Sequence, residues 1–179
     1  MPLRSKHSKT RTMVLIAVLV AQAIVLSLVE RMIPFNFSVP GAKLGLANIV
    51  TLTAIYMLPF RQSFLVVTLR ILMTAFIVGS FSSFLYSLAG GYLSYFIMAL
   101  LVYLDFRNLG TIGISVVGAV AHNLGQLLMA AFIIQNAFIL GYLPMLMLAA
   151  IATGIAVGLT VQYLIKALKA TRLFQGQKG

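Results

Sequence analysis

The stretch MVLIAVLVAQAIVLSLVERMI, Met13 to Ile33, decides the fold class. It carries no charge until Glu30 and Arg31. About 20 apolar residues in helical conformation cross the roughly 30 Å hydrocarbon core of a bilayer. The run is longer than the apolar core of a secretory signal, and Glu30-Arg31 makes a poor cleavage site, so it reads as a retained membrane helix. Backbone groups in hydrocarbon must be satisfied within their own segment, and the run does not alternate as a barrel strand does. A helix is therefore expected here and in every similar run.

Working outward, the same pattern recurs. Further apolar segments run over Leu44–Leu58, Gln62–Gly79, Ser83–Leu104, Thr111–Ile134 and Tyr142–Leu168. The second is short for a full crossing, and the fourth is interrupted by Gly90-Gly91. The expectation is an all-α membrane protein of six transmembrane helices over 13–168, with basic tails at 1–12 and 169–179. In 179 residues, 61% hydrophobic and only 8% charged, no soluble domain is accommodated.

The formal charge of +11 raises the question of nucleic acid. Its distribution argues for topology instead. Arg4, Lys6, Lys9 and Arg11 precede the first segment, Arg61 and Arg107 lie in alternate loops, and Lys166, Lys169, Arg172 and Lys178 follow the last. Six crossings put all of them on one side, and the loops GSFSS and IQNAFILG on the other are uncharged. By the positive-inside rule both termini are expected on the cytoplasmic side of the membrane. Arg31 and Lys43, in the connection after the first helix, are the exception.

Polar residues inside the spans narrow the function. Arg70 lies eight residues into the third segment, about 12 Å deep, where a charge needs a cavity or a partner. It is either a ligand contact or a structural arginine held by helix-end carbonyls or by a carboxylate. His122, near the middle of the fifth segment, shares a helical face with Ser115, Gly118, Ala119 and Gln126, and Asn123 stands beside it. Lys43 and Asn48, in SVPGAKLGLANIV, add a cation and an amide near the outer mouth. Tyr86 reads as an interface residue, whereas Tyr92 and Tyr95, beside the Gly90-Gly91 break, are pocket candidates. Reaching the interface is the default for Glu30 and Arg31 and is favoured for Arg31, and the two acids, Glu30 and Asp105, are expected near the membrane surfaces. The expected ligand contacts are thus Lys43, Asn48, Arg70, Tyr92, Tyr95, His122, Asn123 and Gln126.

Several chemistries lack their residues. The chain has no cysteine, no Gly-x-x-x-x-Gly-Lys-Ser/Thr loop and no aspartate cluster to hold magnesium on a diphosphate; Asp and Glu together number 2. Acid–base and metal-assisted turnover are not expected, nor is a cofactor or a metal site. A basic, hydrogen-bonding cavity with apolar walls suits binding or transport.

PGAKLGLANIVTL, SLAGGYLSYFIMALL and GISVVGAVAHNLGQLLMA together resemble the Gx transporter family, labelled heptaprenyl diphosphate synthase component I. The likeness covers about residues 13 to 168, and the Lys-Leu-Gly-Leu-Ala-Asn and Ala-His-Asn-x-x-Gln strings are its most specific parts. The layout with both ends inside also resembles the substrate-binding S components of energy-coupling factor (ECF) importers. That resemblance implies a pocket opening outward beneath the first connection, and partners comprising a transmembrane T component and two ATPases. It implies docking through an Ala-x-x-x-Ala motif, matched here by Ala17 and Ala21. The expected cargo is a small anionic, partly apolar molecule: a vitamin, or an isoprenoid or quinone precursor. The alternative is a membrane accessory subunit of polyprenyl diphosphate or quinone synthesis.

Overall fold

The computed structural model describes residues 9–32, 45–104 and 109–170. Among these the chain forms six α-helices and no strand. α1 covers Lys9–Met32, α2 Asn48–Met57, α3 Phe60–Val78, α4 Phe81–Tyr103, α5 Thr111–Ile134 and α6 Leu143–Ala170. A 3-10 turn, Ala137–Tyr142, joins the last two. Five helices are long and apolar enough to cross a membrane, so the chain is a multi-pass membrane protein. The sixth, α2, is not.

Local chemistry sets the helix ends. Pro59 stops α2 by holding Leu58 extended, and its own fixed φ then starts α3 one residue later. Gly79 ends α3 in the left-handed region at φ 68°, its N–H bonding to the carbonyl of Ala75. Ser80 caps α4, its side chain accepting from the Ser83 N–H. Asn136 does the same for the turn before α6, accepting from Phe138 N–H at 2.9 Å.

α2 corrects the expected second crossing. Its 10 residues reach only about 15 Å, half a bilayer. The helix was expected from Leu44, but Gly45 takes a φ of 78° and the helical run begins at Asn48. This half-helix lies in the middle of the bundle, touching all five long helices, and eight of its residues are buried. Leu52 and Ile55 pack with Val67, Tyr95, Met98, Val157 and Val161, and Val50 and Ala54 pack with Leu19, Ala23 and Val66. The central short helix thus joins α1 and α3 to the α4–α5–α6 group.

α4 is continuous through Gly90-Gly91, so the expected break is absent. Glycine in a helix interior costs about 1 kcal/mol against alanine, and here that cost is offset by close packing. A Cβ on Gly125 of α5 would fall 2.8 Å from the Ala89 carbonyl oxygen, and one on Gly154 of α6 would fall 2.6 Å from the Val116 Cα. Small residues let these helices approach backbone to backbone. Outside the bundle, Val14, Val18 and Val25 of α1 and Leu148, Ile151 and Ile155 of α6 are exposed, which suits contact with hydrocarbon.

Candidate functional site

Arg70 is 5% exposed, and His122 is equally buried. They come from α3 and α5, on opposite sides of α4. The glycine pair of α4 lets both approach, because successive helical residues point about 100° apart. A Cβ on Gly91 would lie 3.1 Å from Arg70 Nη2, and one on Gly90 would lie 2.7 Å from the His122 carbonyl oxygen. Any larger residue at either position would displace one of the two.

Arg70 and His122 line one chamber together with Ser27 and Glu30 of α1, Gly45 and Ala47 at the start of α2, Thr74 of α3 and Ser87 of α4. Glu30, 7% exposed, lies within electrostatic range of Arg70. Its Oε1 accepts a hydrogen bond from the Gly45 N–H, which ties the start of α2 to the last turns of α1. Glycine is required at that tie: φ is 78°, and a Cβ would lie 3.1 Å from Asn48 Nδ2. The carboxylate offsets part of the desolvation cost of the guanidinium, since a buried charge without a partner is very costly. The volume open to the centres of water-sized spheres is about 30 Å³, and one water needs about 10–15 Å³.

Not all the polar groups here are satisfied. Thr74 Oγ1, inside the chamber, has no hydrogen-bond partner among the described residues, and neither has either amide atom of Asn48, beside Gly45. Gln126, one turn along α5 from His122, packs against Gly90 with both amide atoms unpartnered. Asn48 and Gln126 are each 3% exposed. A buried polar atom left unpaired costs about 1–3 kcal/mol, so such a cluster calls for a reason.

The expected contacts therefore divide. Arg70 and His122 line the chamber, Asn48 borders it and Gln126 lies behind it. Asn123 turns toward α6, where Nδ2 donates to the Leu146 carbonyl at 3.1 Å. Tyr92 and Tyr95 are not brought to the chamber. The Tyr92 hydroxyl is 3.2 Å from Thr68 Oγ1, and its ring stacks on Phe64. Tyr95, fully buried, donates to the Phe60 carbonyl at 2.9 Å and contacts Ser63 Oγ at the same distance. Lys43 lies outside the described residues, as do the tails at 1–8 and 171–179. Ala17 and Ala21 are both exposed on α1.

Glu30 and Thr74 were not among the expected site residues. Glu30 was expected at the interface, but it is buried in the chamber. Its signal was rarity: with two acids in the chain, one near the end of an apolar helix is the natural partner for a mid-span arginine. Thr74 is one turn from Arg70 on the same face, which is the spacing to search.

Fold and site together define a multi-pass helical membrane protein built round a small polar chamber. Among the described residues no three His, Asp or Glu side chains gather as a metal site. The chain belongs to the heptaprenyl diphosphate synthase component I family, whose pattern matches residues 19–164. That range contains every side chain of the chamber. Curated proteins and solved structures give no match.

Proposed function

We propose that this chain is a small-molecule binding subunit rather than a catalyst: the S component of an ECF-type importer in the bacterial cytoplasmic membrane. Its cargo is a small anionic, partly apolar molecule, such as a vitamin or an isoprenoid or quinone precursor, taken from outside. Arg70 would attract the acidic group, with Lys43 near the mouth. His122, Asn48 and Gln126 would supply hydrogen bonds. Asn123 serves the site indirectly, by fixing α5 against α6, and Tyr92 and Tyr95 serve as core.

The observation that carries this reading is the shared chamber. An arginine and a histidine from separate helices line it at buried depth, beside amides without partners among the described residues. Intramembrane ionisable residues facing an interior cavity are functional candidates by default. The chamber as it stands has room for about two waters, so a larger cargo requires the start of α2 to move from α1. The exposed Ala17 and Ala21 support docking on a T component that carries two ATPases.

Native mass spectrometry of the full chain, gently solubilised from producing cells, tests the proposal. A retained small molecule, lost in Arg70→Gln, is the expected result. Co-purification of a T component and two ATPases would extend it to the importer. A chain that retains no small polar molecule would end this reading.

A second reading has one observation in its favour. The family description names a synthase component, and an apolar groove of about 370 Å³ opens between the end of α3 and the start of α4, lined by Leu72, Phe76, Phe81 and Phe84. Such a groove suits a prenyl chain. A membrane accessory subunit would present that chain to a soluble synthase, and adding the protein to synthase in vesicles would then raise its activity.

A further inference from the structure

We infer that the chamber takes an amphoteric molecule, with an acidic group for Arg70 and a cationic or N–H-donating nitrogen for Glu30, rather than a pure anion. This rests on the binding-subunit reading and narrows its cargo.

The argument begins with charge. A carboxylate on the wall lowers the cost of burying Arg70, but it weakens the site for an anion that carries no other sign of charge. An acidic ligand group within about 4–6 Å of a second carboxylate is disfavoured, because like charges in a poorly solvated space raise each other's energy. Yet Glu30, one of only two acids in the chain, lines the same small chamber as Arg70 and couples to it. In the low dielectric of a bundle interior, neighbouring groups of opposite charge are complemented best by a ligand that carries both an acidic group and a nitrogen donor.

The uncharged groups agree. Thr74 Oγ1, 6% exposed, lines the same chamber without a partner among the described residues, and the Asn48 amide at the border lacks one at either atom. A hydroxyl and an amide each donate and accept. A ligand bearing only oxygens that accept would set another acceptor against the Asn48 amide oxygen and bring negative charge beside Glu30. A nitrogen with hydrogens avoids both. Prenyl diphosphates fit poorly, because they would bring several negative charges to one arginine beside a glutamate. Their apolar chain suits the separate groove by Phe76 and Phe81.

The test compares wild-type full-length chain with Glu30→Gln and Arg70→Gln, each purified in nanodiscs from producing cells. Bound compounds are released with organic solvent, and their elemental formulas and fragment ions are measured. Glutamine keeps an acceptor for the Gly45 N–H, and melting midpoints report folding. The double variant Glu30→Gln/Arg70→Gln removes both charges together if a single variant misfolds. The expected compound holds an acid and a nitrogen donor in one molecule, and its occupancy falls about tenfold or more in each single variant, the loss of one charged hydrogen bond. A captured molecule with acidic groups alone, or undiminished capture by Glu30→Gln or by the double variant, overturns the inference and leaves a binding subunit standing. No enrichment of any small polar compound in wild type overturns both.

Discussion

Two polar clusters lie along α3, and they differ in whether the protein satisfies them. Near the helix start, Ser63 and Thr68 meet Tyr95 and Tyr92, and each of those hydroxyls has a protein partner. Further along, Arg70 and Thr74 meet Glu30 and approach His122, and the neighbouring amides of Asn48 and Gln126 have none among the described residues. The second is buried, and in the first Ser63 and Tyr95 are buried while Thr68 and Tyr92 are half-buried. The first spends its polarity on packing: the tyrosine hydroxyls anchor rings that pack against Phe60, Phe64 and Phe96. The second keeps hydrogen-bonding capacity in reserve. Polarity inside a membrane helix is therefore a weak guide to a site, and unsatisfied polarity is a stronger one.

The largest expected effect comes from breaking the charged pair. Arg70→Gln removes a buried cation within electrostatic range of Glu30, and a loss of up to about 3–5 kcal/mol is expected, as when buried opposite charges are uncoupled. The melting midpoint in nanodiscs should fall sharply, and small-molecule retention should vanish. Glu30→Gln added to Arg70→Gln should recover part of the stability but none of the retention. Full stability in the single variant would show that the two side chains are not coupled.

A smaller effect separates space from backbone conformation. Gly91→Ala would place a methyl 2.9 Å from Ile71 Cδ1 and 3.1 Å from Arg70 Nη2. It should destabilise by about 1–3 kcal/mol, as overpacking does, and weaken retention by shifting the guanidinium. Gly79→Ala meets open space at a φ of 68°, so it should cost about 1–2 kcal/mol of left-handed strain and leave retention unchanged. Equal retention in the two variants would remove Gly91 from the argument.

Smaller still is the contrast between a satisfied and an unsatisfied group. Tyr95→Phe removes one donor from the Phe60 carbonyl, which keeps Ser63 Oγ at 3.0 Å, and should cost about 0.5–1.5 kcal/mol without affecting retention. Gln126→Met replaces an unpartnered amide by an apolar chain of similar shape, so stability should hold or rise while retention falls. The opposite pattern in both would reverse the assignment of the two clusters.

Sequence reading found the parts of the site that are costly in lipid. Arg70 and His122 stood out because nothing apolar surrounds such residues without consequence. It misjudged features whose meaning is tertiary. Gly90-Gly91 reads as a helix interruption by intrinsic propensity, but its value lies in what Arg70 and His122 need on either side of α4. Tyr92 and Tyr95 looked like ligand contacts because their partners, Thr68, Ser63 and the Phe60 carbonyl, belong to another helix. Glu30 was given to the interface by counting residues from the start of α1. That count cannot see the chain returning beside it at Gly45. The short α2 followed the same rule: Leu44 extends the apolar run, but the left-handed Gly45 delays the helix to Asn48.

The smallest effect on stability, and a test of a different kind, concerns two pairs of small residues at the same spacing. Gly154 and Gly158 of α6 face inward, where Cβ atoms would fall 2.6 Å from the Val116 Cα and 2.7 Å from the Ile112 Cα. Ala17 and Ala21 of α1 face out of the bundle. The inner pair already has its close-packed helix, and the outer pair has none among the described residues. Because both outer positions are exposed, leucine there should change stability by no more than about 0.5 kcal/mol, as for an ordinary surface change. Retention of the chamber's small molecule should also persist. What should be lost is co-purification of the T component and its ATPases, because a helix that approaches over two alanines is held off by two leucines. Survival of such a complex would leave the outer face of α1 as lipid contact alone. Loss of the complex with an intact, loaded chamber would separate docking from binding within one helix, since Glu30 at the far end of α1 belongs to the chamber and Ala17 and Ala21 do not.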